Sequence, residues 1–487
     1  MFTENFVEAV ALIGIVILVA SLLSGVVERT GLPQVAIFLG LGAVLGPAGL
    51  NLVELTLDSP AVQVIATLGL VLVLFTDAIT VEPAELREHR TLAAVVLGPG
   101  TLIPAAVIFL AGWLLLDLAP LHAAILGAAL ASTDPVLLRS FLRQPRLTRT
   151  ARTALRLESG MNDVVLLPIV ATCILAIGTP REELAGELAS HAIGLFLLGP
   201  ALGALAGYIA ITLLDQIRKR VGVRRDYESL YALGVALTAF AAAESVGGSG
   251  FLAAFAAGVV IAAMDVELCD CFLDYGQATA EMFLLLTFVA FGASLIWSGV
   301  TVADAPTLAF AVIALMARTL VLLPVLSRTG LDVRDRRIIA WFGPRGLSSL
   351  LLVLLPVFAG IPGSDRLFAI TSLVVLLSVV FHGTGIAFFL RKVTRGNGPL
   401  AATPLPERIV TGPTLNERVP ERITLEELHQ LREAGEPVVL ADVRTERSYR
   451  DDNLIAEGAI RLPPDEAVQQ ARELGLDKRA TIVLYCT

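Results

Sequence analysis

The chain has 487 residues, 55% of them hydrophobic and only 17% charged, with a formal net charge of −9 and a mean hydropathy of +0.77. Soluble domains carry about 25% charged residues, so this balance excludes an ordinary soluble enzyme and places the chain among membrane proteins. The acidic balance gives no basic footprint for nucleic acid, and four cysteines (Cys173, Cys269, Cys271 and Cys486) make no disulfide framework.

Up to Lys392, long apolar runs alternate with short charged loops. A spanning helix needs roughly 20 apolar residues, and about thirteen runs qualify. They are 6–27, 33–52, 61–80, 91–116, 121–142, 151–178, 187–214, 227–246, 249–264, 272–297, 304–327, 337–359 and 366–391. The first lacks a basic n-region and a small-residue cleavage site, which predicts a retained helix and not a signal peptide. Gly247, Gly248 and Gly250 leave almost no loop between the eighth and ninth runs. One set of alternate loops carries Arg29; Arg87 and Arg90; Arg143, Arg146, Arg149 and Arg152; Arg218, Lys219, Arg220, Arg224 and Arg225; Arg328, Arg334, Arg336 and Arg337; then Arg391, Lys392 and Arg395. The other set carries Arg181 and Arg366. That bias predicts an N-terminus outside and a C-terminus in the cytoplasm.

An ionisable side chain inside a span costs roughly 2.5–3.5 kcal/mol on the insertion scale and needs a partner or a job. The third run contains LVLFTDAITV, whose Asp77 reads either as a carboxylate approaching a site or as an interfacial one. The fifth contains AALASTDPVLL. Pro135 lacks an N–H and disfavours helix at Asp134, so the helix is expected to break there. Broken backbone at membrane depth is tolerated where it lines a cavity, and freed carbonyls there make cation ligands.

The sixth run opens ALRLESGMNDVVLLPIV. Ser159 and Asp163 are four apart, as are Glu158 and Asn162, so each pair shares a helix face. Asp163, Asp134, Ser159 and Thr133 together offer hard oxygens, which suit a small alkali cation and not a soft metal. The eleventh run holds Arg318, which demands a carboxylate, and Glu158 is the spare one. The twelfth reads WFGPRGLSS, with Pro344 and Arg345 between glycines, a second interrupted helix. From the residues alone Arg345 reads equally as a snorkelling side chain at a span end. The placement of the two interruptions fits inverted repeats running first to sixth and eighth to thirteenth. Glu244, Glu281, Asp265, Asp304, His122 and His382 are expected near span ends, and Ser132 and Thr172 as small helix contacts.

S-T-D-P in one run, E-S-G-x-N-D opening the next and a late G-x-R-G resemble the electroneutral NhaP-like branch of the cation:proton antiporters. The resemblance covers residues 1–392 and implies an all-α polytopic membrane protein with two broken helices. It further implies a cation site of Asp163, Asp134, Ser159, Thr133 and Asp77, Asn162 crosslinking the broken helix, and a Glu158–Arg318 ion pair. Arg345 matches the family's arginine in the second broken helix. Implied partners are sodium or another monovalent cation, protons, the bilayer of an inner membrane and a second copy in a homodimer. No cofactor is implied. The match departs at Pro344, where relatives carry Leu or another apolar residue, and at Asp77, which is Glu in many relatives.

Residues 393–420 carry Gly and Pro without helical period and read as a linker. Residues 421–487 read as a small α/β segment: helix ITLEELHQLREAG, strand PVVLADV, helix DEAVQQARELGL and strand TIVLYC. LADVRTERSYRDDNLIAEGAIRLP with VLYC resembles a partial rhodanese-like domain. There Cys486 would end a strand and open an anion-cradling loop. LIAEGA stands for the usual G-H-I-P-G-A, and Thr487 follows Cys486 directly, so this segment is expected not to perform sulfur transfer as written.

Three functions compete on these residues. A secondary antiporter exchanging sodium or potassium for protons uses one central acid. A cation channel needs a continuous polar pore. In a tethered sulfurtransferase the spans would only anchor.

Overall fold

The computed structural model describes residues 34–396, apart from 48, 53–55, 58, 81–85, 87–88, 143–146, 181, 221–224, 265–269, 294, 328 and 330. It also describes 438–444, 455–456, 458–463, 467–476 and 481–485, with the isolated positions 14, 18, 22, 86 and 428. The chain divides into two compact units, Met1–Pro399 and Leu400–Thr487. Apart from Gly14, Leu18 and Leu22, the first expected span lies outside the described residues, as does Cys486; the expected linker is described only to Gly396, where its first four residues are helical.

The first unit is helical. Its elements are α1 (Gln34–Leu45), α2 (Pro60–Thr80), α3 (Arg90–Leu97), α4 (Pro99–Leu115), α5 (Pro120–Ala131), α6 (Pro135–Leu142) and α7 (Arg149–Gly178). Then come α8 (Leu184–Ile193), a π-turn (Gly194–Leu198), α9 (Gly199–Arg220), α10 (Arg225–Glu244), α11 (Gly250–Ala263), α12 (Asp270–Ala293), a 3-10 turn (Leu295–Trp297) and α13 (Ser298–Thr301). The unit closes with α14 (Ala305–Leu326), α15 (Val333–Trp341), α16 (Leu347–Phe358) and α17 (Ser364–Gly396).

Among the described residues, six helices are long and apolar enough to cross a membrane, or seven if the bent pair around residue 294 counts as one span. Five shorter apolar helices accompany them, including α5 and α16, the halves of the two interrupted spans. Two expected single spans are jointed. The run 91–116 is α3 and α4, divided where Pro99 takes the first position of a new helix and so needs no donor. The run 187–214 is α8 and α9, joined through one widened π-turn.

The turn between α10 and α11 is real and tight. Gly247 has φ +79°, which costs a residue with a Cβ. The Glu244 carboxylate accepts the Gly250 N–H at 2.8 Å, and Ser249 caps α11. Asp304 caps α14 in the same way. Its hydrogen bonds from the Thr307 hydroxyl and N–H hold the carboxyl below its ordinary range.

By their contacts the helices form two groups: α1, α2, α9, α10, α11 and α12, and α4, α5, α7, α14, α16 and α17. One large apolar cluster runs through both, and a smaller one lies among α2, α9, α10, α11 and α12. α7 touches both broken helices and also α2, so its middle turns lie where the groups meet.

The second unit holds β1 (Val438–Asp442), β2 (Ile460–Arg461), α18 (Ala467–Glu473) and β3 (Thr481–Tyr485). The strands are parallel in the order β2-β1-β3. β2 is not among the expected elements, being only two residues long. Asp442, fully buried at the end of β1, is paired with Arg444 at 2.7 Å and with Arg461 at 3.5 Å.

Candidate ion-binding site

The site is assembled where two helices stop. α5 ends at Ala131 and α6 begins at Pro135; α15 ends at Trp341 and α16 begins at Leu347. Each stop leaves orphaned backbone groups in an apolar interior, and these must be satisfied by something. The two breaks satisfy each other. The Asp134 N–H donates to the Pro344 carbonyl at 2.9 Å. Asp134 Oδ2 accepts the Leu347 N–H at 2.7 Å, setting a carboxylate at the N-terminus of α16. In return Arg345 Nη1 donates to the carbonyls of Ala131 and Ser132, at 2.7 and 3.0 Å, setting a guanidinium at the C-terminus of α5. Both charges have the sign that a helix dipole favours at that end.

The C-terminus of α15 is closed by a second arginine. Arg318 Nη1 donates to the Ala340 carbonyl at 2.8 Å, joined by the Thr319 hydroxyl at 3.0 Å. Its Nε and Nη2 grip both oxygens of Glu158 at 2.5 Å, a bidentate pair buried on both sides.

Asp163 lies on α7 beside the crossing, 3% exposed. Ser132 donates its hydroxyl to Asp163 Oδ1 at 2.5 Å, and Ser348 also hydrogen-bonds this carboxyl. One residue earlier Asn162 Nδ2 donates to Thr133 Oγ1 at 2.8 Å, tying α7 to the first break. Ser159 is buried, its hydroxyl 3.4 Å from the Arg156 carbonyl of its own helix. Asp77, half-buried on α2, lies against Gly160 of α7.

The structure therefore gathers Asp163, Asp134, Thr133, Asn162, Pro135 and Arg345 at one crossing, with the Glu158–Arg318 pair and Asp77 around the neighbouring turn of α7. Three expectations need correction. Two of the carbonyls freed in the first break, those of Ala131 and Ser132, are not free but accept from Arg345. Arg345 does not snorkel; it is 1% exposed and spans both breaks. Ser132 is no idle helix contact, since it holds Asp163. His382 lies near the end of its span, as expected, and is 2% exposed and hydrogen-bonded to Ser378.

Ser348, Ser378 and His382 are not marked as site residues by any motif in the sequence. The doublet Ser348–Ser349 directly after the G-x-R-G is the available signal for the first. The four-residue spacing of Ser378 and His382 on an apolar helix is the signal for the others.

Gly346 permits the crossing to be this close. A Cβ built there would come within 2.8 Å of the Asp134 Cβ and run into its carboxyl group. Gly346→Ala is expected to destabilise the protein by about 1–3 kcal/mol, the ordinary range for overpacking, read as a lower melting temperature in detergent.

These residues fall inside a recognised family region. The family described as "Sodium/hydrogen exchanger, transmembrane" matches residues 14–392. The K(+)/H(+) antiporter NhaP of Alkalimonas amylolytica is 27% identical over 406 residues, covering 81% of this chain and 69% of that protein. The K(+)/H(+) antiporter NhaP2 of Shewanella sp. (strain MR-4) is 29% identical over 391 residues, covering 78% and 67%. The Na(+)/H(+) antiporter NhaS2 of Synechocystis is 26% identical over 393 residues, covering 78% and 69%. In fold, the chain is similar to the sodium proton antiporter MjNhaP1 from Methanocaldococcus jannaschii, with a TM-score of 0.63 at 19% identity over 78% of this chain and 100% of that one. With the match running through both broken helices and the Asp163 helix between them, the chain belongs to the transmembrane sodium/hydrogen exchanger family.

Proposed function

We infer that the protein is a secondary antiporter that exchanges a monovalent cation for protons across the cytoplasmic membrane, by competition at Asp163. The observation that carries this reading is a buried aspartate flanked by the Ser132 and Ser348 hydroxyls at the crossing of two interrupted helices. Hydroxyl and carboxylate oxygens are hard ligands suited to an alkali ion. A cation and a proton compete for the same carboxylate oxygens, so loading one excludes the other. An unloaded carboxylate carries its charge into a low-dielectric barrier, whereas either loaded form is neutral. Exchange is thereby coupled.

Asp134, Thr133, Ser159 and Asp77 complete the proposed cation site, with Asp134 also bracing α16. Asn162 stands where a second acid would add another negative charge, which favours one cation for one proton. We further propose a homodimer, a cytoplasmic C-terminus and a rhodanese-like tail.

Sodium is the first reading of the cargo. Potassium is the second, favoured by the names of the Alkalimonas and Shewanella relatives. Acridine-orange dequenching in everted vesicles, run separately with sodium, potassium and lithium, tests both. Dequenching on cation addition is expected with sodium. A response to potassium alone would transfer the reading to the second ion. Cation-dependent current without proton movement would replace both with a channel.

A further inference from the structure

Ser378 and His382 are four residues apart on α17 and so share one face. Both are buried, at 0% and 2% exposure. Ser378 Oγ accepts the Arg345 N–H at 2.7 Å and lies 3.1 Å from His382 Nδ1. The Arg345 N–H belongs to a break in a helix and has no helical acceptor, and leaving it unsatisfied in an apolar interior is costly. A serine inside a helix commonly turns back on the carbonyl four residues earlier. Here the hydroxyl is held between the Arg345 main chain and the imidazole one turn along its own helix.

The line of hydrogen bonds does not stop at Arg345. Its Nη1 reaches the Ala131 and Ser132 carbonyls, and the Ser132 hydroxyl binds Asp163. Among the described residues, the buried Nε and Nη2 of Arg345 have no hydrogen-bond partner. The guanidinium therefore holds the first break through one nitrogen, and the Asp134 bonds to Pro344 and Leu347 fix the main chain on either side, leaving the Arg345 N–H itself to Ser378. Around the imidazole, the charged groups facing it are Arg345 and Arg318, the latter paired with Glu158. The rings of Trp341 and Phe381 lie 6.3 and 5.5 Å away and confine it.

We propose that His382 and Ser378 are positioning residues of the ion site, setting the Arg345 main chain and through it the Ser132 groups that hold Asp163. The proposal rests on Asp163 being the cation- and proton-binding acid. Neither residue touches the ion. Their contribution is to keep the carboxyl where both hydroxyls reach it, since small misplacements of site groups have large effects.

The test uses the full chain, purified and reconstituted, comparing Ser378→Ala, Ser378→Thr, His382→Leu and His382→Asn with wild type. Exchange is measured against sodium and potassium concentration across the neutral pH range. Ser378→Ala and His382→Leu are expected to raise the KM for the cation about tenfold and displace the pH profile, leaving the rate at saturating cation near wild type. Ser378→Thr retains the hydroxyl, and His382→Asn retains a polar atom at the Nδ1 position; both are expected to behave as wild type.

Unchanged KM and pH profile in both Ser378→Ala and His382→Leu overturns the proposal, as does a His382→Asn no better than His382→Leu. If His382→Leu does not fold, His382→Gln replaces it, because its amide reaches toward Nε2 and leaves the Nδ1 position empty. A wild type without exchange would instead sink the antiport reading. Backbone hydrogen exchange over residues 343–347, expected to be faster in Ser378→Ala, then decides the positional claim alone, and equal rates reject it.

Discussion

Asp163→Asn is expected to reduce cation-dependent proton flux in proteoliposomes to the level of protein-free vesicles, while the protein still inserts and extracts as wild type does. Asparagine keeps the size of the side chain and can still accept the Ser132 hydroxyl. The fold therefore retains its packing and its hydrogen bond. What is lost is the negative charge that a cation needs and the oxygen that a proton occupies, so both halves of the exchange fail together. Asp134→Asn makes a sharp comparison. Its amide oxygen can still accept the Leu347 N–H that Asp134 Oδ2 accepts at 2.7 Å. The crossing should survive with weaker cation affinity, not with abolished exchange. If Asp163→Asn retained flux, the competition mechanism would be wrong whatever the fold.

The second large effect falls on stability. Glu158→Gln leaves the Arg318 guanidinium buried without its counter-charge. Breaking a buried pair by removing one partner costs about 3–5 kcal/mol, because the remaining charge is neither solvated nor paired. Cation binding itself should be little affected in whatever fraction folds. The measurement is the melting temperature of the detergent-extracted protein together with its amount in the membrane, both of which should fall steeply. Replacing both residues with apolar side chains, Glu158→Leu with Arg318→Met, should recover part of the loss. Recovery stays partial because Arg318 also closes the end of α15 through the Ala340 carbonyl. Full stability in Glu158→Gln would mean that the pair is not what holds α7 to α14.

Much of this site is legible in the amino-acid sequence. Each of its acids and arginines lies inside an apolar run, where burial of charge has a fixed and large cost, so a partner or a function follows from composition alone. Both interruptions follow from proline and glycine chemistry, which acts within one or two residues. Even the Glu158–Arg318 pair can be inferred, because an arginine in an apolar helix leaves few carboxylates to choose from. The break at Gly98–Pro99 and the π-turn at Gly194–Leu198 are not legible in the same way. Neither interrupts hydrophobicity, and hydrophobicity is the signal that delimits a span.

The short strand β2 is hidden for a related reason. Two residues carry no period, and Ile460–Arg461 becomes a strand only by pairing with β1. Ser132 and Ser378 carry little weight in the sequence because a serine in a span is inexpensive when it bonds its own helix. Nothing local distinguishes that state from one in which it bonds an acid 31 residues away.

The amino-acid order by itself determined that the protein lives in a bilayer, where the two crossing helices break and which groups are too costly to be idle. Those are consequences of desolvation and of backbone chemistry, and they act over a few residues. Only the tertiary structure decided which acid braces a helix end and which is flanked by serine hydroxyls. Asp134 meets the Leu347 N–H across 213 residues of chain, as Arg345 meets the Ser132 carbonyl. Such assignments depend on how two broken helices cross, and hydrogen bonds, being short and directional, are set by that crossing and not by spacing along the chain.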